Sequence, residues 1–159
     1  MADFQPDQAV LLFQALLPQI KREHRTTTKV IRAVPVEQGG YKPHPESMSA
    51  FELSWHVVSA EIFFLAGAVA GELSKGQPRP ESVRDSAGVA DWYTENFARW
   101  FEEARNLDGE RLVRRISFHG YDQSALGWLQ FMVSHSIHHR GQLTVYLRPM
   151  GGRVPAMHE

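Results

Sequence analysis

The sequence contains no cysteine among its 159 residues. Disulfide bonds, thiolate metal ligands and a cysteine nucleophile are therefore excluded. Any sulfur chemistry at this protein would have to use the sulfur of another molecule.

The chain also lacks an excess of charge of either sign. Seventeen Lys and Arg residues stand against 18 Asp and Glu residues, a net charge of -1, so nothing draws the whole chain to a phosphate backbone or to anionic lipid.

The start, Met1 to Pro6, has no basic region followed by an apolar run, and no stretch approaches the roughly 20 apolar residues that span a bilayer. We therefore expect a cytoplasmic protein that has no nucleic-acid or membrane partner.

Hydrophobic residues make up 43% of the chain and charged residues 22%, which is typical of a folded globular protein. A chain of this length is the size of one domain, and it has no internal repeat or linker. We predict a single domain over residues 1–159.

Apolar residues at helical spacing mark four segments. These run from about Pro6 to Val34, from Ser49 to the breakers that begin at Lys75, from about Val89 to Asn106, and from Asp122 or Ser124 to Pro149. Pro18 predicts a kink or a new start within the first helix, because proline lacks the amide hydrogen. Ser49 and Glu52 have the spacing of a capping box. The residues from Leu112 to Phe118 are ambiguous, and no strand is convincing, so the pattern predicts an all-α protein built as a four-helix bundle.

Eight histidines are many for this length, and two of them, His135 and His139, are four residues apart in the last helix. That spacing stacks both on one helical face, which also carries Trp128 and Met132, so we expect both to face the core. Arg140 is expected to project away from that face. His56 lies on the apolar face of the second helix.

Three imidazoles on apolar faces have two explanations. They are either hydrogen-bonded core histidines or the ligands of a metal ion, because an unpaired polar ring is costly to bury. Spacing alone leaves both explanations open, and it also allows His138 to replace His139 as the partner of His135. Three neutral imidazoles with a coordination position left open would suit a catalytic metal rather than a structural one.

Several runs of the sequence resemble the DinB/YfiT-like superfamily. They are the segment from His135 to Arg148 with its Arg-Gly-Gln-Leu, its continuation from Pro149 to Pro155, the loop from Tyr41 to Met48, and the segment from Glu52 to Val57. The similarity covers most of the chain from about Pro18, which leaves residues 1–17 as an N-terminal helical extension.

The resemblance implies a four-helix bundle in up-down-down-up order, and often a homodimer. It also implies one divalent metal ion held by the residues that match His56, His135 and His139. Zinc or nickel is expected first, with iron and manganese as alternatives.

The resemblance also implies a reaction, since characterised relatives include S-transferases that use low-molecular-weight thiols. A metal ion lowers the pKa of a bound thiol or water, and here the thiol would be a cosubstrate such as mycothiol, bacillithiol or glutathione. Gln142 and Arg148 are weak candidates for contacts to that cosubstrate.

Two alternatives stand beside thiol transfer. One is metal-dependent hydrolysis with Glu23 or Glu61 as the base, although a helix carboxylate is more often simply solvated. The other is a non-enzymatic, stress-related bundle that binds metal or a small molecule. DNA binding is the least favoured function, because the basic residues are dispersed.

Overall fold

The computed structural model describes residues 4–74 and 76–156. The first three residues of the predicted extension, Lys75 in the predicted breaker segment, and the chain beyond residue 156 lie outside the described residues. Within the described ranges the protein is mostly helical, with five α-helices, one 3-10 turn and one hairpin.

The elements follow one another in this order along the chain: α1 (Pro6–Arg32), a 3-10 turn (Val36–Gln38), α2 (Ala50–Ala70), α3 (Ser86–Ala104), α4 (Gly109–Val113), β1 (Arg115–Phe118), β2 (Tyr121–Ser124) and α5 (Ala125–Leu147). The four predicted helical segments are confirmed as α1, α2, α3 and α5, with bounds that differ by a few residues at most ends.

Helix starts are set by local side chains. Ser49 and Glu52 form the predicted capping box, in which the Ser49 hydroxyl accepts from the Glu52 amide and the Glu52 carboxylate accepts from the Ser49 amide. Ser124, rather than Asp122, caps α5, because its hydroxyl accepts a hydrogen bond from the amide of Gly127. Gly71, with a φ of 81°, ends α2 in the left-handed conformation that glycine adopts without strain.

Pro18 does not start a new helix, because α1 is continuous from Pro6 to Arg32. Proline removes only one intrahelical hydrogen bond, and the helix is held on both sides of it by burial of Phe13 and Ile20 in the common core. Pro18 itself is exposed.

The expectation of no strands is wrong. β1 and β2 form an antiparallel hairpin in which Phe118 pairs with Tyr121 and Arg115 with Ser124. The indole Nε1 of Trp128 donates to the carbonyl of Ile116 at 2.9 Å, which ties the hairpin to the start of α5. The ambiguous segment after residue 112 therefore contains the end of α4 and all of β1.

The long helices share one core. Helix α1 packs against α3, α4 and α5, while α2 packs against α3 and α5. The interface between α2 and α5 brings the second and last helices together, and it carries the three histidines singled out by the sequence.

Helix α2 corrects one further expectation. Among the described helices it alone is long and apolar enough to cross a membrane by length and composition. Its most apolar window is 56% buried inside the protein, which is the behaviour of a helix that lies in a core.

Candidate metal centre

Three histidines from two helices converge at the interface of α2 and α5. Each of His56, His135 and His139 offers one ring nitrogen to a group whose members all lie within 4.8 Å of one another. The Nε2 atoms of His56 and His139 are 3.2 Å apart. The geometry thus brings together the three residues that the sequence had singled out.

All three rings lie at the edge of the core rather than inside it, since each is only partly buried. The expectation that His135 and His139 face the core is therefore met only in part. Both lie where α5 meets α2, and part of each ring remains accessible to solvent.

Burial favours the neutral form of two of these imidazoles, those of His56 and His135. Desolvation lowers the pKa of His56, and positive charge on His139 would lower it further. Desolvation also lowers the pKa of His135 to about 4, with smaller contributions from the three neighbouring histidines. Neutral imidazoles keep the lone pair that a metal ion needs.

Gln142 orients one of the rings. Its side-chain oxygen lies 2.7 Å from Nδ1 of His139, one turn along α5. An amide oxygen can only accept, so Nδ1 carries the proton and Nε2, the atom that faces His56, keeps a free lone pair. Gln142 is thus placed beside a histidine, and the described contacts give it no other role.

His135 has an unsatisfied atom. Its Nδ1 is buried and has no hydrogen-bond partner among the described residues. Such an atom is usually completed by an ordered water or an ion, and among the described residues Nδ1 of His24 and Nε of Arg140 are in the same state.

The residues fit a divalent transition metal. In a tetrahedral site with Zn–N bonds of about 2.0–2.1 Å the ligand nitrogens are about 3.4 Å apart, close to the 3.2 Å between His56 and His139. The described group contains no carboxylate, and an all-imidazole set suits zinc, nickel, copper or iron better than magnesium or calcium.

His138 lies outside this group. It is exposed, and its ring centroid is 4.8 Å from that of His139. It flanks the cluster on the solvent side.

The two carboxylates proposed as bases are buried. Glu61 is 2% exposed; its carboxylate accepts hydrogen bonds from the hydroxyls of Tyr93 and Ser136. Glu23 is 8% exposed and forms an ion pair with Arg140 at 2.7 Å. Neither carboxylate is therefore exposed to solvent, although most glutamates on helices are.

Arg140 was expected to project away from the histidine face, but leaving that face does not bring it to solvent. Arg140 is 7% exposed and points between α1 and α5, where it pairs with Glu23. Helix α5 is packed on two sides, by α2 and by α1, so a residue outside its histidine face is still inside the protein.

Arg148 lies just past the end of α5 and is exposed. Its guanidinium lies 3.5 Å from the Thr144 carbonyl, which is the favourable position of a cation at a helix C-terminus. The described contacts do not bring it to the histidines.

The two phenylalanine rings that lie beside the histidines were not identified from the sequence. The rings of Phe131 and Phe64 have centroids 5.8 and 6.3 Å from that of His135, and Phe131 is 43% exposed. Phe131 precedes His135 by four residues, so helical spacing could have identified it as a neighbour. An apolar surface therefore borders the accessible side of the cluster.

A separate cavity of about 210 Å³ lies between α2 and α3. Its lining includes Ser59, Phe63, Trp92 and Trp100 but none of the three histidines. Ser59 follows His56 by less than one helical turn, so the cavity begins close to the cluster on α2.

Comparisons with known proteins agree with the fold. The chain is 31% identical over 130 residues to YjoA of Bacillus subtilis strain 168, which covers 80% of this chain and 84% of YjoA. It is 25% identical over 159 residues to YrdA of the same bacterium, covering 92% of this chain and 90% of YrdA.

Two crystal structures of DinB-like proteins have the same fold. That of YjoA from Bacillus subtilis superposes with a TM-score of 0.74 at 26% identity and covers 90% of this chain and 96% of that one. That of a protein from Bacillus cereus ATCC 10987 superposes with a TM-score of 0.75 at 25% identity, covering 90% and 95%. The profile of the DinB family matches residues 7–159. The chain is therefore a member of the DinB family.

Proposed function

We propose that this protein binds one divalent transition metal ion on His56, His135 and His139. The observation that carries the proposal is the convergence of three ring nitrogens within 4.8 Å, two of them 3.2 Å apart. Zinc or nickel fits first, with iron or manganese as alternatives. When bound, the ion would act as a Lewis acid that lowers the pKa of a thiol or water at its open position.

The reaction that we propose is transfer of a low-molecular-weight thiol to an electrophile. The thiol sulfur forms a bond to the electrophilic carbon, the thiol proton leaves to solvent or buffer, and the leaving group departs with the electrons of the broken bond. The thiol comes from a cosubstrate because the chain has no cysteine.

The chain's own residues would have three tasks in this reaction. The histidines would hold the ion, and Gln142 would hold the tautomer of His139 through the 2.7 Å contact. Phe131, which is 43% exposed beside His135, offers an apolar surface to the organic part of the electrophile.

Hydrolysis is the weaker enzymatic alternative. It needs a carboxylate free to accept a proton from water, yet Glu61 is engaged by Tyr93 and Ser136 and Glu23 by Arg140. The non-enzymatic alternative, a bundle that sequesters metal or a small molecule, needs only the histidine cluster and is supported by the same geometry.

The arrangement of the long helices completes the proposal. We propose the up-down-down-up order of a four-helix bundle, with the long connection between α1 and α2 crossing one end, and a homodimer in the cytoplasm. Light scattering tests the dimer, and a mass near that of one chain contradicts it.

The first test is the metal content of untagged protein after reconstitution with zinc, nickel or manganese. We expect about one ion per chain, the stoichiometry of a single three-ligand site. His56→Ala and His139→Ala should each lose it, whereas His44→Ala, at a loop histidine whose side chain is 66% exposed, should retain it. Wild type that remains free of metal would overturn the proposal.

The second test separates transfer from sequestration. Mycothiol, bacillithiol and glutathione are titrated into the cobalt-substituted protein, and thiolate ligation is read from the sulfur-to-cobalt charge-transfer band. Turnover is then followed with a chromogenic alkyl or aryl halide. A charge-transfer band with turnover that is lost in His139→Ala supports transfer, and metal binding without either result supports sequestration.

A further inference from the structure

A buried polar cluster lies directly behind the histidines. It consists of Glu23, Glu61, Tyr93, Ser136 and Arg140, each of which is less than 9% exposed. These residues come from α1, α2, α3 and α5, so the cluster connects the four long helices. Buried groups of this kind are costly unless they are paired, and here both carboxylates have partners.

Ser136 joins the two helices that carry the histidines. Its hydroxyl donates to the Glu61 carboxylate at 2.7 Å, a contact between α5 and α2. Ser136 is 1% exposed and immediately follows His135. The same carboxylate accepts from the hydroxyl of Tyr93 on α3, which fixes the acceptor in turn.

Arg140 makes the second connection, from α5 to α1. Its guanidinium pairs with Glu23 at 2.7 Å and donates to the Thr27 hydroxyl at 3.2 Å. Arg140 immediately follows His139. Each of the two cluster histidines on α5, His135 and His139, is therefore followed at once by a residue anchored to another helix.

The spacing turns these anchors into a constraint on α5. Ser136 and Arg140 are four residues apart, as are His135 and His139, and the two pairs are offset by one residue, about 100° around the helix. Two anchors one turn apart, held by different neighbours, restrict both rotation and sliding of α5. The direction in which the histidines point follows from that restriction.

We propose that Ser136 and Arg140 are positioning residues, which set the rotation of α5 so that His135 and His139 point at His56. This inference rests on the proposed metal site, and it assigns to the buried polar cluster the task of preorganising that site rather than a share in the chemistry. A site held by fixed neighbours binds its ion without first paying for the ordering of its ligands.

Ser86 provides a matched control. It is 2% exposed, and its hydroxyl donates a single buried hydrogen bond, 2.9 Å long, to the carbonyl of Val34. Ser136→Ala and Ser86→Ala therefore delete the same atom from equally buried sites. Only the first deletion removes a contact next to a histidine of the cluster.

The test measures cobalt affinity and the visible d–d spectrum of cobalt-loaded wild type, Ser136→Ala, Ser86→Ala and Arg140→Lys. We expect Ser136→Ala and Arg140→Lys to bind cobalt about tenfold more weakly, the lower end of the range for supporting residues of metal sites, with shifted d–d bands. Ser86→Ala should match the wild type in both respects even if it unfolds at a lower temperature. Equal affinity and identical spectra in wild type and Ser136→Ala would overturn the inference.

A measurement on the metal-free protein distinguishes failure of this inference from failure of the proposed metal site. The ring ¹⁵N chemical shifts of His56, His135 and His139 report how the imidazoles face one another without any ion. They should change in Ser136→Ala and stay unchanged in Ser86→Ala. Wild type that takes up no cobalt would overturn the metal site alone, and the ring shifts would then decide whether Ser136 positions the histidines.

Discussion

The Nε2 atoms of His56 and His139 lie 3.2 Å apart, although 83 positions separate the two residues in the sequence. The contact exists because α2 and α5 pack side by side. The two nitrogens form an N–H···N hydrogen bond when Nε2 of His56 carries a proton, and both can bind one metal ion when neither does.

Gln142→Ala should weaken zinc binding about tenfold, because removal of the acceptor on Nδ1 frees the ring of His139 to rotate and change tautomer. Gln142→Glu keeps an acceptor and should retain wild-type affinity or exceed it. Competition titration against a zinc chelator measures both. Gln130→Ala, at another exposed glutamine of α5, is the control, and an equal loss in both alanine variants would contradict a role for the His139 contact.

Arg140→Gln should lower the free energy of unfolding by about 3–5 kcal/mol, because it removes the buried cation paired with Glu23 and leaves that carboxylate only its 3.4 Å contact with the exposed Arg22. The comparison is Arg32→Gln, which breaks the 2.6 Å pair of Arg32 with Asp91, whose side chains are 51% and 69% exposed. That change should cost about 0–1 kcal/mol. Urea denaturation measures both, and similar losses would show that burial does not distinguish the two pairs.

Glu61 should make the protein less stable as the pH rises. Burial raises the pKa of Glu61 from 4.5 to about 7, against the opposing hydrogen bonds from Tyr93 and Ser136. Between these values the folded state holds a proton that the unfolded state has released. The stabilisation is therefore complete below pH 4.5 and is lost as the pH rises to about 7.

Glu61→Gln removes this titration. The difference in unfolding free energy between wild type and variant should fall from pH 4.5 to 7 and level off above that range. Urea denaturation at a series of pH values gives the curve. A difference that does not vary with pH would contradict the raised pKa.

Protonation of His24 should make the protein less stable as the pH falls. Its ring stacks on that of Phe97, with centroids 3.7 Å apart, and burial, followed by the charge of Arg25, lowers its pKa from 6.5 to about 4. The unfolded state takes up a proton first, so stability is complete above pH 6.5 and is lost as the pH falls towards 4. His24→Phe keeps a stacked ring and should lose less stability on acidification. Thermal melts at pH 7.5 and pH 5 measure this loss, and a decrease in melting temperature as large as that of wild type would contradict the prediction.

Two glycines with open space around them should respond with opposite signs to alanine. Gly120 has a φ of 80° in the hairpin turn, next to His119 with a φ of 49°, and a left-handed alanine costs about 1–2 kcal/mol. Gly141 lies within α5, where alanine is favoured over glycine by about 0.8–1.0 kcal/mol, and no atom lies within 4 Å of an added Cβ at either position. Thermal melts should show a lower midpoint for Gly120→Ala and a higher one for Gly141→Ala, and a rise in both would exclude strain at the turn.

Local chemistry in the sequence was enough to predict the helices, because periodicity and capping act over a few residues. Ser49 and Glu52 showed where α2 begins, Asp122 and Ser124 bracketed the start of α5, and the four-residue spacing of His135 and His139 placed both on one helical face. The resemblance carried by the segment from His135 to Arg148 identified the family. These features need no knowledge of which helices are neighbours.

The contacts that depend on which helices are neighbours were decided by the tertiary structure alone. The sequence could not show that Arg140 is buried against Glu23, because a single helical face was assigned to the interior and α5 is packed on two. It could not show that Glu61 is engaged by Tyr93 and Ser136, or that Arg115–Phe118 finds a partner strand. The contact between His56 and His139 also depends on which helices are neighbours. Helical periodicity places each ring on an apolar face, and the packing of α2 on α5 brings those two faces together.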